Sequence, residues 1–363
     1  MYIFISIYDY THSHSQAGTC AYTYALTQSY RVLLCTHTSQ TVSNSRRKNS
    51  NMYGNFLFQA MCLLSVVDLL SGKTSLWSDW WTYEGISGPS YWGLLNLEWS
   101  LCNKGRNQSP INIDPGTLLY DPQLENLKID GNMVVGSLVN NGHDLTFEVD
   151  QTSQWGVNIS MGPLSYTYRA ANLKVHFGSK DERGSEHTIA DRAFVAEIHI
   201  FFYNAELYPN FSDSIRAPHG IAALSLLVKV GETRNLAFEP ITHTIKKVTV
   251  KGHESKLRNF YLGKLIPQTD HYITYEGSFT QPGCFETVTW IVFNKPVYIS
   301  RDQIDALRKL KQGGKENLQM SMSDNIRPTM STNQRPVRTN INFRSDCSMK
   351  HDMFYEVNKL YTD

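Results

Sequence analysis

Between Trp77 and Phe343 the chain is a succession of short apolar or alternating runs, each stopped by Gly, Pro, Asn or Asp. Leu145–Val149, Leu173–Phe177, Ala196–Tyr203, Ile221–Val230, Ile245–Val250 and Thr287–Phe293 are such runs. Side chains alternate between the two faces of a strand, whereas the apolar residues of a surface helix recur every three or four positions. Short runs at this density predict strands, and a single sheet-rich domain rather than a helix bundle. Twenty Tyr, sixteen Phe and seven Trp suit that reading, because aromatic residues favour a pleated, half-buried surface. The best helical signal is Ser300–Leu310, with Ser300 as N-cap and Ile304, Leu307 and Leu310 on one face.

The ends of the chain read differently. Residues 1–51 are rich in Tyr, Thr, Ser and His and show no clean period, so they are set apart as an upstream extension of the domain. Met52 opens a segment whose residues 56–70 are mostly apolar, and Ser71 and Gly72 provide small residues for cleavage. Gln59 and Asp68 interrupt that run, which is too short to span a membrane. Residues 52–72 are therefore a candidate signal peptide. The alternative is a buried N-terminal helix of a cytosolic protein. The globular domain is assigned to residues 77–343 and a polar tail to residues 344–363. Asn107, Asn158 and Asn210 each begin an N-x-Ser sequon, which together with the apolar run favours the secretory route. A net charge of +1 gives no electrostatic basis for binding nucleic acid. Of six cysteines, Cys102, Cys284 and Cys347 follow the candidate signal peptide, an odd number that leaves one thiol free or for an intermolecular partner.

Two runs carry chemistry. In Asn172-Leu-Lys-Val-His-Phe-Gly-Ser, strand geometry puts Lys174 and His176 on one face. In Ala196-Glu-Ile-His-Ile-Phe, Glu197, His199 and Phe201 share a face. A catalytic zinc needs three protein ligands and an open position for water. Two imidazoles are present, and Lys174 shares a face with one of them. Lysine must lose a proton near pH 10.4 before it can coordinate. Its ammonium about 4 Å from zinc is repelled by several kcal/mol even at an effective dielectric of ~20. Glu186 or Glu197 is the expected partner that neutralises it.

These runs resemble the zinc-site strands of the α-carbonic anhydrases. The resemblance spans residues 79–343 and also rests on Gln108-Ser109-Pro110, Asn141-Gly142-His143, Gly184-Ser185-Glu186-His187, Thr289-Trp290 and Ser323-Asp324-Asn325. Within the family the chain is most similar to carbonic anhydrase-related proteins X and XI, through Asn294-Lys295-Pro296-Val297-Tyr298-Ile299 and Arg338-Thr339-Asn340-Ile341-Asn342-Phe343. The resemblance implies a mainly β (α+β) domain: a central twisted, mostly antiparallel sheet of about ten strands with short peripheral helices. It makes His176 and His199 metal ligands, with Lys174 in place of the third, and Asn172 and Glu197 the residues that orient them. It makes Thr280 the residue that orients zinc-bound hydroxide, Glu186 the acceptor for Thr280, and His143 the proton shuttle. It places Phe201, Ala223, Phe279 and Trp290 around the carbon dioxide pocket, with bulky Phe201 and small Ala223 where valines are usual. It pairs Cys102 with Cys284, leaving Cys347 odd.

The expected function is that of a secreted, extracellular pseudoenzyme with no cofactor. By resemblance it binds a cell-surface protein of the neurexin kind, and the mature chain carries no transmembrane segment. The alternative is a zinc-dependent carbonate dehydratase that tolerates or compensates Lys174.

Overall fold

The structure, a computed structural model, describes residues 21–27, 30–36, 80–314 and 319–342. The chain divides into two compact units, residues 1–73 and 74–363. In the first, Ala21–Thr27 and Tyr30–Thr36 pair as an antiparallel hairpin, regular structure that the period of residues 1–51 does not announce. The candidate signal peptide at 52–72, the tail at 344–363 and Cys347 lie outside the described residues.

The second unit is built on one sheet of 13 strands. In chain order they are β1 (Leu119–Tyr120), β2 (Leu127–Asp130), β3 (Val134–Asn140), β4 (Leu145–Val149), β5 (Asn158–Met161), β6 (Leu164–Phe177), β7 (Ala196–Asn204), β8 (Ile221–Gly231), β9 (Glu254–Phe260), β10 (Tyr272–Gly277), β11 (Val288–Phe293), β12 (Val297–Ser300) and β13 (Arg338–Thr339). The order across the sheet is β9-β3-β4-β6-β7-β8-β11-β10-β13-β1. Strand β12 pairs with β8, while β5 joins β2 to β6. All pairings are antiparallel except β8 with β11, β8 with β12 and β13 with β1. The expected mostly antiparallel sheet is therefore present. Its cross-sheet path has ten strands, and three more attach beside it.

Strand β7 shows how deeply the centre of the sheet is buried. Every one of its residues is buried, so both faces are covered. Ile198, Ile200 and Phe202 enter one apolar cluster with Leu173 and Val175. Phe201 and Tyr203 enter a second cluster on the other face, with Ala223 and Trp290. Each fully buried large apolar side chain contributes roughly 1.5–3 kcal/mol. Glu197 and His199 occupy the same face as Phe201, so a short polar row is held in an otherwise apolar layer.

Helix Arg301–Leu307 forms where expected. Gln303 accepts a hydrogen bond from the Ser300 backbone at 3.1 Å, and Ile304, Leu307 and Leu310 are buried. The expected strand Ile245–Val250 does not form: Ile245–Lys247 is a 3-10 turn continuing helix Glu239–Thr244. Ile241, Ile245 and Val248 are all but fully buried there, at a helical spacing that the run read in isolation conceals. Cys102 and Cys284 form the disulfide the resemblance implies. It sits among Trp81, Tyr83, Trp92 and Trp99. The two cysteines are 182 residues apart, a closure on the order of 4–5 kcal/mol in the chain-entropy account.

Candidate functional site

The sheet register sets out the site. Lys174 on β6 lies directly between Thr146 on β4 and His199 on β7, and His199 in turn faces Ser225 on β8. In the adjacent row His176 faces Glu197. The loop from β6 to β7 brings Glu186 over these rows. Its two glycines are required by close approach: a Cβ on Gly178 would stand 1.3 Å from the Arg183 carbonyl oxygen, and one on Gly184 1.9 Å from that of Val195. The Gly-Ser…Gly-Ser-Glu-His pattern is thus a packing device that fixes a carboxylate against two histidines.

Lys174 does not pair with Glu186 or Glu197 as expected. Its Nζ donates to Asp144 Oδ2 at 3.2 Å and to Gln281 Oε1. Asp144 is also bonded by the Thr146 hydroxyl, by Asn141 Nδ2 at 2.8 Å and by Gln281 Nε2 at 2.5 Å. Gln281 Nε2 further contacts the Tyr83 hydroxyl at 3.0 Å. Burial opposes ionisation of Asp144, but the Lys174 ammonium and the hydrogen bonds from Thr146 and Gln281 outweigh it and hold the carboxyl well below the usual range. Asp144 lies nearer than either glutamate because it opens β4, the strand beside β6.

The histidines are poised differently. His176 Nδ1 lies 2.7 Å from the Asn325 carbonyl oxygen, which only accepts, so Nδ1 carries the hydrogen and Nε2 a lone pair. His199 Nε2 lies 2.7 Å from Glu197 Oε1. Glu197 also accepts from the Glu186 and His187 backbone amides at 2.8 Å each, from His187 Nδ1 and from the Ser225 hydroxyl. Burial works against the Glu197 carboxylate, yet His187 and His199 keep it well below the ordinary carboxylate range. His199 therefore donates from Nε2 and keeps its lone pair on Nδ1. Burial lowers both imidazoles, with the proximity of His199 adding to the effect at His176, which falls to about 3. Both are neutral, as ligands must be. Neither His176 Nε2 nor His199 Nδ1 has a hydrogen-bond partner, and the same holds for Glu186 Oε2. Burial pushes the Glu186 carboxyl well up, against the pull of the Thr280 hydroxyl and the Arg327 amide.

The other candidates fall around this centre. Asn172 is on the face of Lys174 and His176, with its Oδ1 buried and unpartnered. Thr280 is buried beside Glu186. The His143 ring stacks on Trp81, centroids 3.9 Å apart. Phe201, Ala223 and Trp290 form one cross-sheet row. Phe201 stacks on Phe279 at 5.2 Å and meets His199 edge-on at 5.9 Å. Among the sequons, Asn107 and Asn210 are exposed and Asn158 is half-buried in β5. Asp144, Tyr83 and the Asn325 carbonyl were not singled out by the sequence. Gln281, the residue after Thr280, was not singled out either.

Residues 87–341 match the family model for eukaryotic-type carbonic anhydrase. The chain belongs to that family. It is 41% identical over 268 residues to carbonic anhydrase-like protein 2 of Caenorhabditis elegans, a match covering 72% of this chain and 80% of the relative. Zinc is the metal this family binds. The residues present fit a divalent cation in part: two neutral imidazoles offer free lone pairs, but the third imidazole is absent. No helix among the described residues is long and apolar enough to cross a membrane.

Proposed function

We propose that this carbonic anhydrase family member is a secreted pseudoenzyme that acts as a protein-binding module at the cell surface. The observation that carries the reading is the Lys174–Asp144–Gln281 cluster. Lys174 occupies the register position opposite His199 and is committed to a buried carboxylate, so the three-imidazole cage for a catalytic zinc is incomplete. The Phe201–Phe279 stack fills the space beside His199, which supports loss of the carbon dioxide pocket. The disulfide, the three sequons and the apolar run at 56–70 support secretion and glycosylation at Asn107, Asn158 and Asn210. The likeness to carbonic anhydrase-related proteins X and XI favours a cell-surface protein of the neurexin kind as partner. The carbonic anhydrase-like name of the nematode relative fits a non-enzymatic member.

A second reading, residual carbonate dehydratase activity, is favoured by the free lone pairs on His176 and His199 and by Thr280 beside Glu186. Hydration of carbon dioxide by the secreted full chain separates the two. The pseudoenzyme reading expects turnover at the buffer background and capture of a protein from cell-surface extracts. Clear turnover with no captured partner reverses the order.

A further inference from the structure

Three buried polar atoms converge in the cleft with no hydrogen-bond partner: His176 Nε2, His199 Nδ1 and Glu186 Oε2. All three side chains are essentially inaccessible to solvent. Ligand atoms from these three residues lie within 4.8 Å of one another, and His199 Nδ1 is 3.7 Å from Glu186 Oε2. Orphaned buried polar atoms each cost on the order of 1–3 kcal/mol, so three in one place call for an explanation. Hydrogen bonds among the three do not provide it. The His199–Glu186 separation is too long, and the nearest His176 atom to Glu186 is the already engaged Nδ1, 3.6 Å from Oε1. Ligand atoms in a tetrahedral site with bonds of about 2.0–2.1 Å stand roughly 3.3 Å apart, close to the observed 3.7 Å.

We infer that His176, His199 and Glu186 form a divalent-cation site of two imidazoles and one carboxylate, in which Glu186 supplies the third donor that Lys174 cannot. Two histidines and a glutamate are a donor set that zinc accepts. Binding displaces the proton that burial favours on Glu186, and the surrounding bonds already fix the geometry. Asn325 orients His176, Glu197 orients His199, and the Arg327 amide holds Glu186 Oε1 at 2.8 Å while leaving Oε2 free. Such outer partners set ligand direction in metal sites. The Lys174 ammonium is engaged by the Asp144 carboxylate, which offsets its charge, and by Gln281. The inference rests on the proposed function only in that the three-imidazole cage is lost, and the ion need not support turnover.

The test uses the full secreted chain, stripped of metal and titrated with Co2+. The wild type is expected to take up one equivalent with visible absorption from nitrogen ligation. Glu186→Gln should weaken that binding at least about tenfold, a ligand being worth no less than an outer partner. X-ray absorption of the zinc-loaded wild type gives a reading independent of any variant: two imidazoles, not one or three, with oxygen completing the shell. Wild-type protein that takes up no Co2+, an E186Q variant that is folded by circular dichroism and binds as tightly as wild type, or a shell lacking the two imidazoles would each overturn the site. Hydratase activity of the zinc-loaded wild type would instead overturn the pseudoenzyme reading and leave the ligand set standing.

Discussion

Lys174 and His176 lie two residues apart on one face of β6, yet their surroundings obey opposite rules. Around Lys174 each named polar group has found a partner: ammonium, carboxylate, amide and the Tyr83 hydroxyl close on one another. Around His176, three atoms of His176, His199 and Glu186 are left unsatisfied in a fully buried pocket. The difference teaches how substituted residues of a family cleft can satisfy one another. Lys174 and Gln281, two residues that depart from the family pattern, contact one another and form a self-sufficient cluster with Asp144. The residues that keep the pattern leave His176 Nε2, His199 Nδ1 and Glu186 Oε2 without partners.

Restoring the missing imidazole is the strongest way to break this contrast. Lys174→His should raise zinc affinity and bring carbon dioxide hydration at least about tenfold above wild type, because three histidines with an open position are a competent zinc site. Turnover should stay low while the Phe201–Phe279 stack fills the pocket, and rise about another tenfold in K174H/F201V. Stopped-flow hydration assays on the zinc-loaded variants measure this. A K174H protein that binds one zinc with no turnover, with or without F201V, would show that the cleft has lost more than a ligand.

Removing the lysine without replacing the ligand tests the satisfied side. Lys174→Met leaves Asp144, whose side chain is 1% exposed, without its counter-charge. Breaking a buried ion pair costs about 3–5 kcal/mol, and the three remaining hydrogen bonds of Asp144 and the 21% exposure of Lys174 bring the expected loss down to about 2–3 kcal/mol. The pH dependence has a definite sign. The Asp144 carboxyl is depressed below its unfolded value near 3.9, so its contribution is fully present above about pH 4 and lost as the pH falls further. Urea melts should therefore show wild type well ahead of K174M at pH 7 and the gap closing toward pH 3. Equal stabilities at pH 7 would mean that the cluster is no more than a surface pair.

The aromatic row should respond next. Phe201→Val removes a buried ring and should cost about 2 kcal/mol, less than the 3–5 expected for truncation to alanine. Ala223 faces Phe201 in register, so F201V/A223V should recover about half of that by refilling the space. Additive losses in the double variant would show that the two positions do not repack as a unit.

What the sequence disclosed follows from how locally each feature is encoded. The strands at 145–149, 196–204 and 221–231 were legible because their period lies within the run itself. Ile245–Val250 was misread because its burial period begins at Ile241, inside a preceding helix too short to announce itself. The facing of Lys174 and His199 could be anticipated from strand alternation, and the disulfide from the family resemblance. The Asp144–Lys174–Gln281 cluster could not, since its members are 30 and 107 residues apart and only the order of strands brings them together. Nor could the lone pairs at His176 and Glu186, which depend on a carbonyl at Asn325 and an amide at Arg327.

The smallest expected effect gives the contrast its scale. Asp181 has geometry at least as good as that of Asp144: Arg301 approaches through two nitrogens at 2.8 and 2.6 Å, and Arg308 through one at 2.8 Å. These hydrogen bonds, from Arg301 first and Arg308 second, lower its carboxyl to about 2. Its side chain is 37% exposed, however, and water and salt screen a pair at the surface. Asp181→Asn should therefore cost less than about 1 kcal/mol at pH 7. That loss should fade as the pH falls from about 4 toward 2, because a depressed carboxyl stabilises only while it is ionised in the folded state. It should also shrink in 1 M salt, where the Debye length is about 3 Å, while the K174M loss persists because Asp144 is out of reach of counterions. Parallel melts of D181N and K174M in low and high salt measure both. If D181N costs as much as K174M, or if both losses vanish together in salt, then burial is not what separates the two ion pairs, and the Lys174 cluster would be only another screened contact at the rim of the cleft.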